Sequence, residues 1–274
     1  MRAIQDRFSN GYTLLRLQKL ACRLDRLSGM SIGENRTLVV MPAYNEEASI
    51  GEVIRELAMA HPEITCLVVD DGSSDATVDV AKANGAIVAS LPFNLGVGGA
   101  MRLGYKYGLE NGFDRVVQID ADGQHDPRDL EIVLSALDEA DLVIGARFAG
   151  EGTYAVRGPR RWAMVVLART LSRSARTRLT DTTSGFRAAG PRAVRLFAEH
   201  YPAEYLGDTI ESLVIASRAG CVIRQVPVTM RARSGGVASH HPVKAALYLF
   251  RACLALGIAY LGPAYPLNEA RAAS

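Results

Sequence analysis

Between residues 37 and 148 the chain alternates short, continuously apolar runs with longer segments of helical character, and this alternation leaves few folds open. The runs "TLVVMPAYN" (37–45), "CLVVDDGS" (66–73), "AIVASLP" (86–92), "RVVQIDADG" (115–123) and "DLVIGARF" (141–148) read as strands. Helices are expected over 46–60, through "DATVDVAKANG" with Ser73 or Ser74 as its cap, and over 94–112. A fourth is expected from Asp126 to about Asp138, with Asp126 as N-cap and Pro127 as first helical residue. Strands without polar alternation are covered on both faces, so the pattern implies an α/β fold with a mainly parallel sheet between helices.

In such sheets ligands bind outside the carboxyl ends of the strands. Polar residues collect there: Tyr44, Asn45 and Glu46 after the first run, Asp70 and Asp71 after the second, Asp120 and Asp122 after the fourth. Acidic caps on the following helices account for Asp126 and Asp75, but not for paired acids at two strand ends. Carboxylates so close repel one another unless a cation lies between them. An Asp-x-Asp pair offers two hard oxygen donors suited to Mg²⁺ or Mn²⁺. Mg²⁺ usually takes one or two carboxylates plus substrate phosphates, so the pair points to a diphosphate-bearing ligand whose developing charge a metal would neutralise. His125 can add a ligand or simply sit solvated in the loop. The glycines Gly96, Gly98 and Gly99 follow the third strand and do not fit G-x-G-x-x-G, which argues against a dinucleotide loop. A loop including Gly98 can still offer backbone N–H groups to a sugar or phosphate.

The 274 residues suffice for one large α/β domain, with or without appended helices. With 49% hydrophobic residues and a net charge of +2, the chain is neither a disordered tail nor a nucleic-acid binder recognisable by charge. Cys22, Cys66, Cys221 and Cys253 lie far apart without C-x-x-C spacing, which suits reduced thiols in a cytoplasmic protein; no signal peptide is visible. Residues 11–28 place Leu14, Leu17, Leu20, Leu24 and Leu27 at helical spacing with Arg16, Lys19, Arg23 and Arg26 elsewhere. Such a helix packs on the body of the protein or lies on an anionic membrane surface. The apolar segment 243–262 is broken by Lys244 and Arg251, and its clean part, 252–261, is about half the roughly 20 residues of a spanning helix. It can pack on the domain, form a contact between copies in a homo-oligomer, or sit in the membrane interface. Three parts are expected: a helical extension over 1–35, a catalytic domain over 36–240, and an apolar helix and tail over 241–274.

Seven motifs occur here in one order: "VVMPAYNEEASIGEVI", "VVDDGSSDAT", "NLGVGGAMRLG", "QIDADGQHDP", "VIGARF", "DTTSGFRAAGPRAV" and "VPVTMRARSGGVAS". Together, over roughly residues 36–240, they resemble the family 2 glycosyltransferases of GT-A fold, and among them the dolichyl- or polyprenyl-phosphate sugar synthases. The resemblance implies a UDP- or GDP-linked sugar donor and transfer with inversion. It implies that Pro42, Tyr44 and Glu46 line the nucleoside pocket, with Asp71 accepting from the base and Asp70 beside it. Asp120, Asp122 and Gln124 would hold the metal, and Arg147 and Arg187 would face donor or acceptor phosphate. Arg231 and Arg233, before a flexible "SGG", would belong to a flap closing on the diphosphate.

The acceptor decides the chemistry. A sugar hydroxyl must lose a proton to a general base, whereas a lipid phosphate is already anionic and needs only cations to hold it. In "YLGDTIESL" (205–213) Asp208 stands near a helix start with Glu211 one turn on. Hydroxyl-glycosylating members carry a base hereabouts, which would be Asp208, unless it is a plain N-cap; lipid-phosphate members carry a single Glu, which Glu211 matches. The "DTTSGFRA" segment, the arginine-rich 158–178 helix and the two amphipathic ends favour a polyprenyl phosphate reached by an enzyme peripheral to the membrane's inner face. A soluble transferase acting on a hydroxyl, and a non-catalytic nucleotide-sugar-binding scaffold, are the other readings.

Overall fold

The computed structural model describes residues 36–146, 171–173, 175, 177–202 and 208–231. The expected N-terminal helix, the apolar tail, most of the 158–178 helix, Arg147 and Arg233 lie outside the described residues.

Among the described residues, seven strands form one sheet in the order β3-β2-β1-β4-β6-β5-β7. The strands are β1 (Thr37–Ala43), β2 (Thr65–Asp70), β3 (Ile87–Ser90), β4 (Arg115–Gln118), β5 (Leu142–Ala146), β6 (Arg187–Ala189) and β7 (Ile223–Pro227). The helices are α1 (Ile50–Ala60), α2 (Thr77–Ala83), α3 (Gly96–Glu110), α4 (Leu130–Ser135), α5 (Pro191–His200) and α6 (Asp208–Arg218). All strand pairings are parallel except those of β6, which runs antiparallel between β4 and β5. The continuous apolar runs have the expected cause. Val39 and Met41 of β1 face one core layer, with Ile54 and Leu57 of α1 and Leu130 of α4. Leu38 and Val40 face the other, with Met101 and Tyr105 of α3, Phe197 of α5 and Leu213 of α6. On that second face α3 lies close to the sheet, because a Cβ at Gly104 would stand 2.5 Å from a Val40 methyl.

Several boundaries differ from the sequence reading. β1 stops at Ala43, β2 at Asp70 and β4 at Gln118, so Asp70 ends its strand while Asp71, Asp120 and Asp122 fall in the turns beyond. The segment 46–49 is a turn before α1 rather than helix. Neither serine caps α2; Asp75 accepts from the Thr77 amide instead, at 3.0 Å. Asp126 does cap the next segment, accepting from the Arg128 amide with Pro127 first in the helix, but that segment begins and ends as 3₁₀ turns around the short α4.

Candidate active site

In the order β3-β2-β1-β4 the chain leaves β1 in both directions, which makes the crevice between β1 and β4 the switch point where such sheets bind ligands. Ala43, Asp70 and Ser90 stand level at the ends of β1, β2 and β3. The turn after β4 rises beside them.

The loops after β1 and β2 are tied into one wall. Asn45, at φ 55, donates its amide to Ser73 Oγ at 3.0 Å and accepts from the Ser74 amide at 2.8 Å. Asparagine tolerates this left-handed backbone better than most residues. The Glu46 amide donates to Thr77 Oγ1, and Glu47 exchanges bonds with the Asp75–Ala76 turn. Pro42 is half-buried and Tyr44 exposed at the crevice mouth. Asp70 is buried and accepts from the Ser73 amide at 2.9 Å. Asp71 is buried and accepts from the amides of Leu95 and Gly96, each at 2.7 Å. It thereby caps α3, and the glycine loop gives these two N–H groups to Asp71, not to a phosphate. Gly98 lies buried in the first turn of that helix.

The acidic turn after β4 is built from buried parts. Asp122 is buried and accepts the Gln124 amide at 3.0 Å, closing a local turn. Asp120 is partly exposed; its Oδ1 accepts from Gln118 Nε2 at 3.0 Å. His125, expected as a ligand or a solvated loop residue, is 2% exposed, stacks on Phe186 at 5.1 Å and accepts the Asp120 amide on Nδ1 at 3.0 Å. Gly185 approaches from the segment before β6: a Cβ there would lie 2.7 and 2.9 Å from the two Asp120 oxygens. Because β6 runs antiparallel, with Arg187 opposite Gln118, the residues that precede it reach this rim.

Two carboxylates, Asp120 and Asp122, two residues apart at the rim of a crevice fit a divalent ion that draws its remaining ligands from a substrate diphosphate. Among the described residues no group of three His, Cys, Asp or Glu is placed to hold a metal. The half-buried Gln124 adjoins the pair and gives its carbonyl to the Arg231 amide at 2.9 Å.

Arg187 differs from expectation, and Arg231 is held by two acids. Arg187 is 2% exposed and does not face a phosphate: its guanidinium donates to the carbonyls of Ser184, Thr182 and Thr209 and to Ser212 Oγ, at 2.7 to 2.9 Å. It braces the start of α6 against the segment entering β6. Arg231 bonds Glu56 at 2.5 Å and Asp126 at 2.9 Å, and these two acids hold it over the acidic turn. Asp126 is in turn held well below the usual carboxylate range, chiefly by Arg128 and further by Arg231.

Asp208 and Glu211 occupy the first turn of α6, as the sequence suggests. Asp208 is buried, and its Oδ2 has no hydrogen-bond partner among the described residues. Burial pushes its carboxyl up from the usual 3.8, opposed by the Arg187 charge and reinforced by Asp120. A buried carboxyl with a spare oxygen beside the acidic turn can take a proton or receive a hydrogen bond from an acceptor.

Residues 38–200 match the model of glycosyl transferase family 2. The undecaprenyl-phosphate mannosyltransferase of Micrococcus luteus is 35% identical over 209 residues, 73% of this chain and 86% of that protein. The polyprenol monophosphomannose synthase of Mycolicibacterium smegmatis is 34% identical over 213 residues, 73% of each chain. Glucosyl-3-phosphoglycerate synthase from Mycobacterium tuberculosis, crystallised with Mn²⁺, UDP and glucosyl-3-phosphoglycerate, superposes with a TM-score of 0.64 at 25% identity, covering 86% of both chains. The architecture is the GT-A fold that the motifs imply. The chain belongs to glycosyl transferase family 2 and is a glycosyltransferase.

Proposed function

We propose that this glycosyltransferase moves a sugar, with inversion, from a nucleotide-diphosphate donor to a polyprenyl phosphate at the cytoplasmic face of a membrane. The observation that carries the reading is the Asp120–Asp122 pair in the turn beyond β4, at the sheet's switch point. Asp120 and Asp122, with Gln124, would hold Mg²⁺ or Mn²⁺, whose charge favours departure of the diphosphate. The wall formed by Pro42, Tyr44, Glu46, Asp70 and Asp71 is suited to the nucleoside. Arg147 and Arg233 are assigned to phosphate oxygens, with Glu211 near the acceptor. Support for the metal and nucleotide comes from the Mn²⁺–UDP complex of the M. tuberculosis synthase. Support for a lipid phosphate comes from the two relatives whose names state such acceptors. Among the described residues no helix is long and apolar enough to cross a membrane.

The spare oxygen of Asp208 favours a second reading, in which the acceptor is a hydroxyl and Asp208 its base. One experiment separates them. The chain is given radiolabelled UDP- and GDP-sugars with undecaprenyl phosphate in anionic liposomes, and label is sought in the organic phase. Lipid-linked label that disappears in EDTA and in Asp122→Asn, yet persists in Asp208→Asn, is the expected result. Persistence of activity in EDTA, or transfer only to water-soluble hydroxyl acceptors with Asp208→Asn inactive, overturns it.

A further inference from the structure

We infer that His125 is neither a metal ligand nor a packing residue but a positioning residue, which with Gly185 fixes Asp120 for a divalent ion; this deepens, and rests on, the metal-dependent reading above. The peptide N–H of Asp120 can only donate, so His125 Nδ1 must be the acceptor at 3.0 Å and the proton of the neutral ring lies on Nε2. That N–H stands 3.8 Å from Asp120 Oδ2, too far for a hydrogen bond but on the carboxylate's side. One imidazole therefore holds the backbone of Asp120 and borders its side chain. The ring itself is fixed, being 2% exposed and stacked on Phe186, next in sequence to Gly185.

Gly185 completes the setting by what it lacks. Its backbone is outside the left-handed region, so conformation does not demand glycine; space does. A methyl there would meet both Asp120 oxygens and, at 2.9 Å, the Gln118 Nε2 that binds one of them. All three contacts lie at or inside the closest approach of a carbon to an oxygen or nitrogen, so the carboxylate would have to turn. Hydrogen-bonding groups behind a ligand typically change metal affinity by about 10–100-fold when removed.

The test is Mn²⁺ binding to the full chain, read by electron paramagnetic resonance of the free ion in the presence of UDP and, in parallel, GDP. His125→Phe keeps a flat ring on Phe186 but leaves the Asp120 amide without an acceptor, and should weaken Mn²⁺ about tenfold or more. His125→Asn returns an acceptor near the Nδ1 position and should stay within about threefold of the parent. Gly185→Ala, which leaves His125 intact, should also lose about tenfold, and decides the matter if His125→Phe does not fold. A packing role predicts the reverse order, with Phe tolerated and Asn impaired. Parental Mn²⁺ affinity in folded His125→Phe, or in Gly185→Ala, overturns the inference while leaving the metal reading intact provided Asp122→Asn still loses the ion. An Asp122→Asn protein that binds Mn²⁺ like the parent, or a parent that binds none with either nucleotide, overturns both.

Discussion

Replacing Arg187 with methionine removes the guanidinium while keeping most of the aliphatic stem, and the structure sets what should follow. Four hydrogen bonds are lost, to the carbonyls of Ser184, Thr182 and Thr209 and to Ser212 Oγ. Each such bond contributes about 1 kcal/mol net, and each buried acceptor left unpaired costs about 1–3 kcal/mol. The Thr209 carbonyl retains the Ser212 hydroxyl at 3.1 Å, so it is not wholly stranded. Asp208 also loses the positive charge that opposes its desolvation, which drives its carboxyl further toward the protonated form. These effects overlap, and a loss of about 3–5 kcal/mol, the range for breaking a buried charge network, is the expected total.

That loss is large against the typical 5–15 kcal/mol of a whole domain, so the variant should fold but melt early. Guanidinium unfolding followed by circular dichroism should show a lower midpoint with unchanged slope. Asp208→Asn in the same background should recover part of the loss, since the partner charge is then gone as well. Nucleotide affinity, measured well below the melting range, should change little because the guanidinium faces carbonyls and not the crevice. A variant of parental stability that has lost donor binding by orders of magnitude would refute the brace and restore Arg187 as a phosphate contact.

Gly104→Ala forces a methyl to within 2.5 and 2.9 Å of the Val40 side chain, so α3 must move off the sheet. The expected cost is about 1–3 kcal/mol in the same unfolding assay, with parental stability refuting the close packing. For Asp208 the folded carboxyl titrates above its unfolded value of 3.8, so the stability tied to its protonated form is full below that value and is lost as pH rises through the folded one. Asp208→Asn, which cannot ionise, should therefore be more stable than the parent near about pH 7 and should lose that advantage toward about pH 4; a gap that widens on acidification would reverse the sign.

Much of this site was legible because its chemistry lies in contiguous sequence. The apolar runs before Tyr44, Asp71 and Asp120 can only be covered strands, and parallel strands put their following residues on one edge. The strand limits were less legible, because the apolar run continues through Ile119, whose amide still bonds Val40, while the last paired residue is Gln118. The short β6 has too few residues for any period to show, and the edge strand β7 mixes buried and exposed positions without clean alternation.

What local sequence could not carry is direction. Had β6 run parallel like its neighbours, its C-terminal end would have reached the rim and Gly185 would have lain at the opposite edge. Because it is inserted antiparallel between β4 and β5, Gly185 and Phe186 arrive beside Asp120 and His125, and Arg187 is carried into the sheet between two strands. An arginine read from its motif looks like a phosphate ligand; the same arginine, first in a covered strand, gives its guanidinium to three carbonyls and a hydroxyl. The reversal of one three-residue strand thus turns an expected contact into a brace, and turns a glycine with an ordinary backbone into the space that Asp120 needs.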